Sequence, residues 1–146
     1  MDNEDLFLML DECINHAKQT LTTSHTLIPF AFVLEHDNST RSITIDEKDI
    51  ESRYENLLEV LKTEAKESNI TAIALVSNVT IPQDYNASAE SGIRIHVEEK
   101  AFEEQNKLSA RLLYIPYNLF KTAEDSEVQI KLHKPIPVGL AKEIFI

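Results

Sequence analysis

Around Ser68-Asn69 the hydrophobic period of this chain changes from that of a helix to that of a strand, and this switch constrains its fold most. From about Glu47 to Glu67, the residues Ile50, Tyr54, Leu57, Leu58, Leu61 and Ala65 recur three and four apart, one face of an amphipathic helix. The opposite face carries Glu51, Glu55, Glu59, Lys62 and Lys66. Asp46 is the expected N-cap, and Asp49 places a negative charge in the first turn. From Ile70 to Ile81 the chain is dense in Ile, Ala, Leu and Val, the pattern of a central strand buried on both sides. A helix that feeds such a strand excludes all-α and all-β folds.

The flanking segments extend this reading. Leu6, Leu10, Cys13, Ile14, Ala17 and Leu21 lie on one stripe of a helix from about Glu4 to Leu21, capped by Asp2 or Asn3. Phe7 and Leu8 lie off the stripe and widen its apolar surface. Thr26 to His36 reads as a strand with Pro29 near its start or on an edge. Asp37-Asn38-Ser39 is a turn signal, and Arg41 to Ile45 alternates, completing a hairpin. Ser91 to Glu99 alternates with Ile93, Ile95 and Val97 inward and Arg94, His96 and Glu98 on the other face. Leu108 to Tyr117 is a further strand, and Val128, Ile130 and Leu132 mark the next. Pro135 and Pro137 break the pattern, and Ala141 to Ile146 reads as a docked tail or short edge strand. Residues 82–91 and 118–127 are the expected mobile loops. The predicted order is α-β-β-α-β-β-β-β in a single α+β domain spanning residues 1–146. Its mainly antiparallel sheet has five or six strands, and its two helices gather mainly on one face.

Charge and glycine content exclude whole classes of function. The formal charge of -11 argues against a broad nucleic-acid surface. Two glycines, Gly92 and Gly139, leave no phosphate-cradling loop and no dinucleotide fingerprint, so no cofactor is expected. The longest apolar run, Leu27 to Leu34, is too short to span a bilayer, so no membrane contact is expected. The start, Met1-Asp2-Asn3-Glu4-Asp5, lacks the basic region of a secretory signal. A single cysteine, Cys13, suits a reducing cytosol, and a cytoplasmic location is expected. His16, His25, His36, His96 and His133 show no metal-ligand spacing, so no metal site is expected.

Three constellations remain. Arg94, His96 and Glu98, with Arg111 on a strand expected alongside, form either a ligand groove on an uncovered sheet face or the wet side of an antiparallel sheet. Cys13 and His16 stand three apart on a helix, either a reactive pair or a small core hydrophobe beside a surface imidazole. Phe7, Leu8, Tyr117, Phe120 and Phe145 are apolar candidates for an interface, against ordinary core packing.

Small size, a pI of about 4.8 and the mixed element order resemble those of type III secretion chaperones. Acidic immunity proteins and antitoxins are similar in the same respects. The chaperones are acidic dimers with three strands between two helices and a later closing helix. Here two strands fill that interval and no third helix is expected, so no residue is transferred. The sequence therefore points to a non-catalytic acidic cytosolic protein that works through an unidentified protein partner and self-associates, in the manner of a chaperone, immunity protein or adaptor. A small-ligand-binding domain using the face around Arg94, His96 and Arg111 is the alternative, and a hydrolase or transferase ranks third.

Overall fold

A computed structural model describes residues 4–45, 49–67, 69–85, 87–99, 110–124, 126–140 and 144. Among the described residues are two long helices and seven strands, an α+β protein whose element order agrees with that read from the sequence. Helix α1 spans Glu4–Ser24, and strands β1 and β2 span Phe30–Glu35 and Thr40–Ile43. Helix α2 spans Ile50–Glu67, followed by β3 at Ile70–Thr80 and β4 at Ser91–Glu99. Strands β5, β6 and β7 span Ala110–Phe120, Gln129–Leu132 and Ile136–Leu140. All strands share one antiparallel sheet in the order β2-β1-β3-β4-β5-β6, with β7 also paired to β5.

Local chemistry explains the element ends. The His25 N–H donates to the Leu21 carbonyl at 3.0 Å while His25 takes φ 61°, a left-handed cap on a residue that is not glycine. In the β1–β2 turn, Asp37 Oδ1 accepts from the backbone N–H and the hydroxyl of Ser39, and Asn38 takes φ 71°. The Arg53 N–H donates to the Asp49 carbonyl at 2.8 Å, which makes Asp49 the N-cap of α2. Asp46, the expected cap, and Asp2 and Asn3 lie outside the described residues.

Strands β6 and β7 are two halves of one interrupted edge. Tyr117 pairs with Leu132 and Tyr114 with Ile136, so three residues of this edge face two of β5. That is a bulge, and Pro135, which has no N–H to give a ladder, sits in it. Pro137 follows within the edge strand β7. On β5, residues 118–120, expected in a loop, continue the strand.

The helices lie on opposite faces, not together. Leu6, Met9, Cys13, Ala17 and Leu21 of α1 pack with Phe30, Leu34, Ala74, Val76, Ile93, Ile95 and Ile115. Leu57 and Leu61 of α2 pack with Ala31, Val33, Ile73 and Leu75 on the other side, with Ile144. The burial of β3 on both faces requires this arrangement, because apolar side chains project alternately from it and each set needs its own cover. Beyond the reach of α2, the connection from β3 to β4 covers the same face. It includes a short 3₁₀ turn, Gln83–Tyr85, whose Tyr85 ring lies 5.6 Å from that of Tyr114. Ile81 packs there beside Leu112 and Tyr114. A Cβ at Gly92 would come within 2.6 Å of the Ile81 side chain, so glycine is what lets Ile81 close over β4.

Candidate functional site

The registers decide which candidates meet. His96 pairs with Leu75 on β3 and Leu112 on β5, so Gly92, Arg94, His96 and Glu98 project to the α2 face. Arg111 pairs with Val97 and therefore projects to the α1 face. It does not join the other three. Its guanidinium stands 4.0 Å from the Glu99 carboxylate at a half-buried position. A shift of one residue in register reverses every side chain of a strand, and this moved Arg111 out of the expected groove.

Nor is the face of His96 and Glu98 open to water. His96 is 1% exposed and Glu98 0%. The His96 Nε2 to Glu98 Oε2 distance is 2.5 Å, and the Ile144 N–H donates to both carboxylate oxygens at 3.0 and 3.2 Å. A buried carboxylate is costly unless its lone pairs are filled, and these donors fill them. Nδ1 of His96 has no hydrogen-bond partner among the described residues. This group ties residue 144 onto the sheet and has no access for a ligand, so it serves structure.

Arg94 is different. It lies at the margin of α2, half-buried, in an open cleft of about 290 Å³. Tyr54 and Glu55 form the helix side of this cleft, and Leu27 and Pro29 come from the segment before β1. Ser77 and Val79 form the floor on β3. Ser77 and Arg94 are direct cross-strand partners on the same face, the spacing at which side chains of neighbouring strands meet. The Arg94 guanidinium carbon stands 5.8 Å from the centre of the Tyr54 ring, a cation–π contact near the outer limit of that interaction. Among the described residues no carboxylate pairs with Arg94, and its Nε, closed off from solvent, has no acceptor. Ser77 is 6% exposed, and its hydroxyl bonds to no described residue. A cation and a hydroxyl side by side, without a hydrogen-bond partner among the described residues and beside Leu27, Pro29 and Val79, have the chemistry of a receptor for an anionic group.

Of the cleft residues, sequence reasoning named Arg94 for this role and read Tyr54 and Ser77 as parts of apolar elements. The signal for Ser77 was there. It ends the apolar run from Ala72 to Val76, and a buried hydroxyl there asks for a partner.

The other candidates separate clearly. Cys13 is fully buried, and burial, with the Glu12 charge as the lesser cause, pushes its thiol far above the ordinary range. The His16 ring packs edge-on against Phe30 with centroids 4.5 Å apart. The pair thus belongs to the α1 packing and supplies no thiolate. Tyr117 is 6% exposed and donates to Asn78 Oδ1 at 2.8 Å, so it is a core residue of the α1 face and not an open anchor. Phe7 and Leu8 stand out at 58% and 53% exposure, and Phe120 is also exposed. Phe145 lies outside the described residues. Among the described residues no three His, Cys, Asp or Glu side chains gather as a metal site, and no helix is long and apolar enough to cross a membrane. Neither a protein-family model, nor a curated protein, nor a solved structure matches the chain.

Proposed function

We propose that this protein is a non-catalytic binding domain whose ligand site is the cleft between α2 and the ends of β3 and β4, centred on Arg94. The observation that carries this reading is the Arg94 guanidinium, beside Tyr54 at the mouth of a cavity, with its Nε lacking an acceptor among the described residues and no carboxylate among them paired with it. Half-burying a cation has a desolvation cost, and a bound group that accepts its hydrogen bonds offsets it. The lack of any nucleophile with an adjacent base among the described cleft residues favours binding over hydrolysis or group transfer. A fragment library screened by protein NMR tests the reading. Hits should cluster on the amides of Leu27, Ser77, Val79 and Arg94, and Val79→Trp, which fills the floor, should abolish them. Hits that cluster elsewhere, or that survive Val79→Trp, overturn it.

A second reading, protein interaction through self-association, is favoured by α1. Phe7 and Leu8 sit side by side on the helix face that points away from the sheet, next to the buried Leu6. Paired exposed residues of this size are the usual material of a two-fold contact. Sedimentation equilibrium should show a dimer that Phe7→Glu/Leu8→Glu converts to monomer. A strictly monomeric mass at tens of micromolar excludes it.

A further inference from the structure

We propose that the Arg94 cleft takes a small organic monocarboxylate with an apolar body, its carboxylate on the Arg94 guanidinium and the Ser77 hydroxyl and its body against Leu27, Pro29 and Val79. This rests on the ligand-binding reading above and names the chemistry that the site selects.

Charge comes first. Arg94 is the single cation among the described residues lining the cleft, and Glu55 stands exposed on its rim. The whole chain carries -11. One guanidinium balances one negative charge, while a dianion would leave a charge unmatched beside Glu55 and against the field of the protein. Phosphate sites also draw on several free backbone N–H groups at a helix start or glycine-rich turn. Here Ser77, Asn78 and Val79 pair with β4, Arg94 pairs with both β3 and β5, and although β1 pairing of β3 ends at Val76, the cleft has no helix start and no glycine among its described lining residues. The site is therefore built for a monoanion.

Geometry selects the carboxylate. Guanidinium presents parallel N–H donors in a plane, and a carboxylate accepts two of them at once. The Nε side is closed off from solvent, so the incoming group meets the outer Nη edge of the fork. Tyr54 stands beside that fork on the helix side. Ser77, directly across the strand pair, adds a donor on the floor. Leu27, Pro29 and Val79 bring apolar side chains to the cleft beside the charged end, so the body of the ligand is mainly apolar. A volume of about 290 Å³ limits it to a small molecule.

Titration of the isotopically labelled full chain with benzoate, benzamide and inorganic phosphate, read from amide resonances, tests the proposal. Benzoate should shift the Ser77 and Arg94 amides in a saturable way. Benzamide, of the same shape without the charge, should bind at least about tenfold more weakly, since charged hydrogen bonds are roughly twice as strong as neutral ones. Phosphate should not saturate these resonances. Arg94→Gln should bring benzoate and benzamide to equal affinity while the resonances of the α1 face stay in place, which separates a lost contact from a lost fold. Equal affinity for the two aromatic probes on the unmodified protein, or saturation by phosphate at the same amides, overturns the carboxylate inference and leaves the cleft reading standing. The carboxylate inference falls in the same way if neither aromatic probe moves the cleft resonances while fragments of other chemistry do. If no probe of any chemistry moves them, the cleft reading itself falls.

Discussion

Replacing Glu98 should be the most damaging single change of a polar side chain in this protein, and the cost follows from what its carboxylate satisfies. Glu98 is wholly buried, holds the Ile144 N–H with both oxygens, and faces His96 Nε2 at 2.5 Å. Glu98→Ala strands the Ile144 N–H and a ring nitrogen of a histidine that is 1% exposed. Each stranded buried group costs about 1–3 kcal/mol, and opening a buried pair from one side typically costs about 3–5 kcal/mol. The expected loss is therefore about 3–5 kcal/mol, a large fraction of the ~5–15 kcal/mol by which a domain is stable. Glu98→Gln keeps the shape but has one acceptor oxygen for two donors. His96 can relieve the conflict by moving its proton to Nδ1, but that nitrogen has no acceptor among the described residues. The amide variant should consequently lose about 1–3 kcal/mol, between Ala and the parent. Replacing both partners with apolar residues, as in His96→Leu/Glu98→Met, should cost less than Glu98→Ala, because one-sided removal is what leaves a polar group alone. Urea unfolding followed by circular dichroism gives the four stabilities, and hydrogen exchange at the Ile144 amide reports the local bond. A loss below about 1 kcal/mol for Glu98→Ala, with Ile144 protection unchanged, would refute the buried clamp.

Leu61 is fully buried in the α2 face, so Leu61→Ala should cost about 2–5 kcal/mol in the same assay. Glu59→Ala, which removes an exposed i,i+3 pair with Lys62, should change stability by under about 0.5 kcal/mol. The Cys13 thiol is held neutral by burial, so its alkylation in native buffer should be slow at about pH 8 and should accelerate with urea in step with global unfolding. Rapid native labelling would refute the packing of α1. Burial, the largest cause, raises the Tyr117 phenol. The folded state then keeps a proton that the unfolded chain gives up at about pH 10, so stability is full below that value and falls as pH rises toward the folded pKa. Tyr117→Phe should flatten that alkaline limb, and parallel limbs for parent and variant would contradict the assignment.

The residues that made the fold legible are those whose environment is one-sided. Leu57 and Leu61 repeat at helical spacing because a single face of α2 is buried, and the bounds of β4, Ser91–Glu99, follow from a strict alternation. The same alternation misled about layers. Arg94, His96 and Glu98 read as a wet face because each is polar, yet His96 and Glu98 are polar and buried, and satisfy each other. Charge in a sequence signals exposure only where no partner is at hand. The contrary signal was present in β3. A strand read as buried on both faces cannot have its helices gathered on one, so the expectation of both helices on one face conflicted with the reading of β3, and the structure resolves the conflict with α2 opposite α1. The solitude of Arg94 was less accessible. Its letter is plain, but its lack of an ion pair among the described residues depends on the β4–β5 register, which sends Arg111 and Glu99 to the far face. It depends also on where α2 stops covering the sheet, which leaves Ser77 and Arg94 between Tyr54 and Pro29. The chemistry proposed for the cleft thus depends on an offset of one residue between two strands. The same offset, by keeping Arg111 with Glu99, leaves Arg94 as the single guanidinium among the described residues that line it.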